Sequence, residues 1–224
     1  MQKTDYYLTD FHTHTISSKD CLTKPEKLIA ACQTKKIDRV IITDHNTIAG
    51  AIRAKSLDPQ RVIIGEEIMT TQGEILAAYV SEEIPPGLHP MDVIQRLRGQ
   101  DAFISISHPF DKHRQGHWQP DDLTAVLPYI DAIETFNARC MLPHYNFRAQ
   151  NFAQEHQLLG TYGSDAHTAW ELGRGALLLP AFEDAATLRE ALKSAVVPPV
   201  ILSTPFIHLA SRYAVLYKRF KNML

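Results

Sequence analysis

The chain has 224 residues, 45% of them hydrophobic and 21% charged, with a formal net charge of −2. This is the make-up of a soluble globular protein with ample apolar material for one large domain. The near-neutral balance excludes a global field drawing the molecule onto nucleic acid or membrane, and no stretch reaches the length of a membrane span. The three cysteines, Cys21, Cys32 and Cys140, are odd in number, scattered and free of any C-x-x-C. They argue against a disulfide framework or a zinc knuckle. The first residues, Met-Gln-Lys-Thr-Asp, carry no apolar leader segment, and the expected setting is reduced and cytoplasmic.

In chain order, "YYLTDF" predicts a first strand that ends in His12-Thr-His14. Residues two apart on a strand face the same side, about 7 Å apart along the backbone. Such a pair suits one metal ion held by two imidazoles, or is simply two surface histidines at a strand end. "PEKLIAACQTKK" predicts a helix with Pro25 and Glu26 in its first turn, where a missing N–H and a negative charge are tolerated or favoured. "RVIITD" (39–44) is a short β-branched strand, "IAGAIRAKSL" a helix, "RVIIGEEI" (61–68) a third strand and "EILAAYV" (74–80) a fourth. "PMDVIQRLR" follows as a helix, then the strands "AFISISH" (102–108) and "DAIETF" (131–136), and the helix "YNFRAQNFAQEH". "LLGTYGSD" (158–165) and "GALLLP" (175–180) are the last strands, before the helix "EDAATLREALKSA". Strands alternating with helices through short turns predict parallel pairing and an α/β barrel.

Polar residues gather where these strands end. His12 and His14 follow the first, Asp44, His45 and Asn46 the second, and Glu66 and Glu67 the third. His108 closes the fifth, Glu134, Asn137 and Arg139 the sixth, and Ser164, Asp165 and His167 the seventh. All strand C-termini of a parallel barrel meet at one rim, where sites are built. Imidazoles with carboxylates suit Zn, Mn, Fe or Ni rather than Ca or Mg. There are too many candidates for one four-coordinate zinc. Two or three ions bridged by a carboxylate are implied, a grouping that activates water and neutralises charge on a phosphoryl group.

In order and rough spacing, "DFHTHT", "SSKDC", "TDHNT", "GEEI", "SHPF" and "GSDAH" resemble the motifs of the PHP (polymerase and histidinol phosphatase) family of metal-dependent phosphoesterases, over residues 9–167. The resemblance implies a distorted seven-stranded β/α barrel, TIM-like, with a trinuclear cluster at the strand C-termini. It implies His12, His14 and Asp165 on a first ion, Glu67 as the bridging carboxylate, His108 on a second ion, and Asp20, His45 and His167 on a third. Two departures stand out. Glu74 occupies a region where the family often has a histidine, so it either substitutes as a ligand or leaves an open position. Cys21 stands beside Asp20 where glycine is usual, as a metal-binding thiolate or a small buried filler. "IETFNAR" resembles a segment of small stand-alone bacterial members, some of which hydrolyse nucleotides or short oligonucleotides. That resemblance implies Glu134 as an orienting group and Asn137 and Arg139 near the phosphate.

The expected catalytic residues are Glu67, Asp165, His167 and Arg139. The expected substrate contacts are Asn137, Arg139, Arg174 and Arg114, the last in the polar loop "DKHRQGHW" (111–118) with His113 and His117. His89, His156 and His208 fit no pattern and read as surface. In the tail, Phe206, Ala210, Tyr213, Tyr217, Phe220 and Leu224 recur at helical spacing beside Arg212, Lys218, Arg219 and Lys221. An amphipathic C-terminal helix over 205–224 is expected, its apolar stripe docked on the barrel. Contact with nucleic acid or a membrane surface is the alternative. The whole chain, 1–224, is thus expected to be one barrel domain. Its expected activity is hydrolysis of phosphate esters by a metal-activated hydroxide, most fittingly on nucleotides or oligonucleotide ends, with no stable binding of duplex nucleic acid. The alternatives are another small phosphomonoester, such as histidinol phosphate, and a metal-stabilised accessory module without catalysis.

Overall fold

The β-branched runs at 39–42 and 62–64 lie side by side as parallel strands, Val40 opposite Val62, Ile41 opposite Ile63 and Ile42 opposite Ile64. Around them the computed structural model, which describes residues 6–221, builds eight strands in the order β7-β6-β5-β4-β3-β2-β1-β8. The elements are β1 (Tyr6–Thr13), α1 (Pro25–Lys35), β2 (Arg39–Ile42), α2 (Ala49–Leu57), β3 (Val62–Met69), β4 (Glu74–Ala78), α3 (Pro90–Gly99), β5 (Phe103–Ile106), α4 (Pro120–Val126), β6 (Ala132–Asn137), α5 (Pro143–Glu155), β7 (Leu159–Gly163), β8 (Leu177–Pro180), α6 (Ala185–Leu192) and α7 (Ile207–Phe220). Proline opens α1, α3, α4 and α5, where its missing N–H costs nothing. No helix was expected over 120–126, because seven residues are too few for helical periodicity to show.

The sheet curls into a nearly closed, distorted barrel. Thr13 of β1 bridges Ala166 beyond β7, and the His14 amide donates to the Ala166 carbonyl at 2.9 Å. Buried Asp10 locks the same seam by accepting from the amides of Ser164 and Gly173, each at 2.9 Å. Burial pushes its carboxyl up to about 6 despite those bonds. Below the seam β8 pairs with the first half of β1, Tyr6 opposite Pro180 to Thr9 opposite Leu177. The sheet thus has eight strands where seven were expected, the eighth being β8 on β1, and β8 and α6 pack with Phe11, Ile41, Phe103, Leu177, Phe182 and Leu188 in one apolar cluster.

Not all pairing is parallel. β4 runs antiparallel to both β3 and β5, and β8 antiparallel to β1. Only residues 70–73 separate β3 from β4. A link that short makes a hairpin, since a parallel return needs a crossover of a dozen or more residues. The reversal has a consequence for chemistry. Because β4 runs the other way, its first residue, Glu74, lies at the rim where the parallel strands end.

The C-terminal helix forms as expected but docks by a different face. Phe206, Tyr213 and Phe220 are 78%, 61% and 84% exposed, while Ala214 and Lys218 are buried. Leu224 lies outside the described residues. The inward face is polar because the barrel rim it covers is polar. Lys218 Nζ donates to the carbonyls of Ile16 and Ser18, and Ser211 Oγ accepts from Arg139 at 2.9 Å. His208, read as surface, is half-buried in the first turn of this helix. Burial and the neighbouring Arg139 push its imidazole down to about 4.

Candidate metal centre

β1 points His12 and His14 to the same side, as alternation requires, with ring centroids 5.0 Å apart. The outer nitrogen of each ring is engaged. His12 Nδ1 lies 3.0 Å from Glu134 Oε1, and His14 Nδ1 lies 3.1 Å from Ser18 Oγ. Ser18 Oγ donates onward to Asp44 Oδ1 at 2.6 Å. The inner nitrogens, His12 Nε2 and His14 Nε2, face each other at 3.0 Å. With each Nδ1–H donating outward, both Nε2 atoms carry lone pairs, and two lone pairs at that distance call for a cation or a proton between them.

Glu67, at the end of β3, is the centre of the group. Its Oε2 lies 2.9 Å from His45 Nδ1, 3.3 Å from His12 Nε2 and 3.5 Å from His14 Nε2. Its Oε1 lies 3.2 Å from His108 Nε2 and accepts from Ser107 Oγ at 2.7 Å. Burial favours the neutral acid, but His12 and His45 outweigh it and hold the carboxyl well below the usual range. Burial likewise opposes charge on His12, and Glu67, Glu134 and Asp165 override it, holding the imidazole well above its ordinary range. Glu66 faces the other way and accepts from the Ile84 amide at 3.1 Å. Burial pushes its carboxyl up to about 8.

The other expected ligands converge on the same space. Asp165 Oδ1 lies 3.2 Å from His14 Nε2 and 3.7 Å from His12 Nε2. Asp20 stands 3.0 Å from His167 Nε2 and 3.5 Å from His45 Nε2. Burial opposes ionisation of Asp20, and His167 and His45 override it, driving the carboxyl far below its usual range. Glu74 joins them, 3.5 Å from His108 Nε2 and 3.9 Å from His45 Nδ1. Burial and the charge of Glu67 push its carboxyl up. Three sets have ligand atoms within 4.8 Å of one another: His12, His14 and Glu67; His14, His45 and His167; and His45, Glu67 and Glu74. Glu67 Oε2, Asp165 Oδ1 and Asp20 Oδ1 are buried and have no hydrogen-bond partner among the described residues. Buried polar atoms are nearly always partnered. Orphaned carboxylate oxygens aimed at imidazole lone pairs fit a set of divalent cations. Cys21 does not belong to that set. Its thiol donates to the carbonyls of His14 and His167, and burial pushes it up to about 12, so it is a protonated filler.

The residues expected to meet substrate are mostly engaged elsewhere. Arg114 donates to Asp165 Oδ2 at 2.6 Å. Asn137 Nδ2 lies 3.1 Å from Glu134 Oε2 and 3.3 Å from Asp165 Oδ2. Arg139 is buried, its Nε 3.1 Å from Glu171 Oε1. Arg174 is not brought to the cluster and donates to the Leu202 carbonyl at 3.3 Å. Sequence reasoning missed Ser18, Ser107 and Glu171, which hydrogen-bond His14, Glu67 and the His167 amide. Ser18 stands inside "SSKDC", and Glu171 lies four residues after His167, a spacing that lets it accept from the His167 amide at 3.1 Å. A larger cavity of 500 Å³ lies at the opposite end of the barrel, beside Arg39, Lys55 and Arg61. Those cations are already satisfied by Glu183, by backbone carbonyls and by Asp58, so it is not the site.

Residues 10–155 match the PHP domain and residues 143–197 the PHP-associated region, and the chain belongs to the PHP domain family. It is 34% identical over 167 residues to the uncharacterized protein MJ0417 of Methanocaldococcus jannaschii, covering 73% of this chain and 67% of that one. Its fold matches a two-domain protein from Bacteroides vulgatus containing a predicted PHP-like metal-dependent phosphoesterase, at TM-score 0.70 and 20% identity, over 86% of this chain and 65% of that one. It also matches the lesion-specific endonuclease PfuEndoQ of Pyrococcus furiosus, at TM-score 0.56 and 14% identity, over 86% and 58%. The chain spans about two thirds of the length of the first two. Among the described residues no helix is long and apolar enough to cross a membrane.

Proposed function

We propose that this chain is a metal-dependent hydrolase of phosphate esters, acting on a small phosphorylated compound such as a nucleotide or an oligonucleotide end. The observation that carries the reading is Glu67, a buried carboxylate within 3.5 Å of nitrogens from His12, His14, His45 and His108. In this reading His12, His14 and Asp165 hold one ion, His108 and Glu74 a second, and Asp20, His45 and His167 a third, with Glu67 between them. Zn, Mn or Fe ions bound there would lower the pKa of a coordinated water and neutralise charge on the phosphoryl oxygens.

The protein's own groups fix the donors. Glu134 takes the Nδ1 proton of His12 as a hydrogen bond, which leaves Nε2 free to bind. It also accepts from the His108 amide at 2.8 Å and so ties two ligands to one carboxylate. Arg114 holds Asp165 ionised against its burial. Glu171 balances the Arg139 guanidinium, which reaches the Asp165 carbonyl at 3.5 Å.

The test combines elemental analysis after metal-supplemented expression with phosphate release from a panel of small phosphoesters. More than one ion per chain and phosphate release are expected, with most activity lost in Glu67→Gln while the fold survives. Trace metal only would overturn the reading. Full metal content without cleavage of any phosphoester would favour the accessory-module alternative.

A further inference from the structure

Five apolar side chains on α7 are each more than half exposed: Phe206 at its cap, then Leu209, Tyr213, Leu216 and Phe220. Tyr217 is exposed beside them. At about 3.6 residues per turn they fall in one stripe about 100° wide, the width of a core-facing stripe. Here the stripe faces solvent, because the buried residues of α7 are Ala214 and Lys218. Exposed apolar side chains scattered singly are ordinary, whereas a contiguous patch marks a surface that meets something. Charge borders the stripe. Exposed Arg212 and Arg219, about two turns apart, run along one edge, and exposed Lys221 stands at the other. Residues 191–224 contain no aspartate or glutamate. The near-neutral chain therefore has one face that is both apolar and cationic.

We propose that α7 seats this face on an anionic lipid surface, lying in the plane of the headgroups without crossing the bilayer. Interfacial helices have this make-up, with aromatic and aliphatic side chains on one face and arginine and lysine beside them. At 14 residues the helix is too short to span a bilayer, which takes about 20. Its arginines stand at the edge of the stripe, where their stems can lie along hydrocarbon while the charged ends reach phosphate. Lys218 is not one of these cations. It is tied to the carbonyls of Ile16 and Ser18, which anchors the helix to the barrel and leaves the aromatic face outward. Trp170, exposed on the loop after β7, lines one cavity with Tyr213 and extends the aromatic surface beyond the helix. Both residue types favour the headgroup level of a bilayer. A second copy of the chain fits this face less well. Two such faces packed together would oppose Arg212, Arg219 and Lys221 of each chain with no acid on α7 to meet them. Single-stranded nucleic acid also fits less well, since Leu209 and Leu216 in the stripe offer no ring on which a base could stack. The proposal is independent of the reaction at the metal centre.

The test is co-sedimentation of the full chain with two kinds of vesicle, phosphatidylcholine alone and phosphatidylcholine with phosphatidylserine. Binding to the phosphatidylserine vesicles is expected, with weaker binding to phosphatidylcholine alone and a loss of binding at high salt. Phe206→Ser combined with Phe220→Ser should weaken binding at least about tenfold, the order of burying one such ring. Arg212→Glu combined with Arg219→Glu should weaken it about tenfold or more. All four side chains are exposed, so both double variants should keep the wild-type thermal midpoint. Ile52→Ser, at a half-exposed position on α2, should bind as wild type does. A second readout places the helix itself. With Phe220→Trp in a Trp170→Phe background, where the remaining Trp118 is buried, emission should shift to the blue on adding phosphatidylserine vesicles. Absence of binding, or binding without that shift, would overturn the proposal. Equal binding to both vesicles would overturn the choice of an anionic surface. A protein that ignores both vesicles but forms a dimer broken by Phe206→Ser with Phe220→Ser would assign the face to a second copy instead. One that ignores them and binds single-stranded oligonucleotides through Arg212 and Arg219 would assign it to nucleic acid.

Discussion

Replacing Gly163 by alanine tests whether the seam between β1 and β7 sets the ligand geometry. A Cβ at this position would stand 2.4 Å from His12 Cβ and 2.5 Å from Glu134 Oε1. Carbon atoms pack comfortably at about 3.5–4.0 Å, so β7 must move away from β1 by about 1 Å. Neither neighbour can yield by swinging into solvent, because both are buried and joined at 3.0 Å. Overfilling a packed core typically costs about 1–3 kcal/mol. At about 2–4 °C per kcal/mol for a chain of this size, the midpoint should fall by about 2–12 °C. On the proposed ligand set, shifting the carboxylate that fixes the His12 imidazole should also weaken metal binding about 10- to 100-fold. Thermal unfolding and chelator competition with Zn or Mn measure the two effects. The control is Gly99→Ala, where the added Cβ meets nothing within 4 Å. If Gly163→Ala matches wild type in both midpoint and metal affinity, the seam yields freely and the reasoning is refuted.

Other expectations follow from single groups. Glu66 titrates in the unfolded chain near 4.5 and in the folded protein at about 8. The folded state therefore holds the extra proton between those values, and this group's contribution to stability declines as pH rises through that window. Urea midpoints of wild type and Glu66→Gln from pH 5 to 9 should diverge accordingly, and parallel curves would count against it. Cys21, Cys32 and Cys140 are buried and their thiols are pushed up by burial. A thiol reagent at neutral pH should label none of them in the native protein and all of them in denaturant. Truncation after Thr204 removes a helix whose buried side chains are Ala214 and Lys218. It should lower the thermal midpoint only modestly and make the protein less prone to self-association in sedimentation. A collapse in solubility would show that the outward aromatic face is covered after all.

The candidate ligands were legible because alternation on a strand is a property of the chain itself. His12 and His14 share a face, and Glu66 and Glu67 cannot, whatever surrounds them. The β-branched runs and the proline-opened helices are local in the same sense. Which of two adjacent glutamates faces inward is not local, and the motif resemblance pointed to Glu67 where periodicity alone left both open. Glu74 depended on the reversal of β4, which a stretch of sequence shows only through the shortness of residues 70–73. Arg114, Asn137 and Arg139 show the limit more sharply. Their residue types suit phosphate, yet in the fold their polar groups are spent on Asp165, Glu134 and Glu171. The tail shows it again, since a helical stripe of aromatics records amphipathicity but not the polarity of what lies opposite.

The sequence by itself determined the periodic elements, the polar residues at their ends and the family motifs, because these depend on neighbours a few positions apart. Only the tertiary structure decided that β8 runs backwards, that Glu67 is shared by four imidazoles, and that α7 turns Lys218 and Ser211 inward and its aromatic rings outward. Those outcomes depend on which buried charges meet across the barrel. A charge taken out of water must find its partner wherever the fold delivers one.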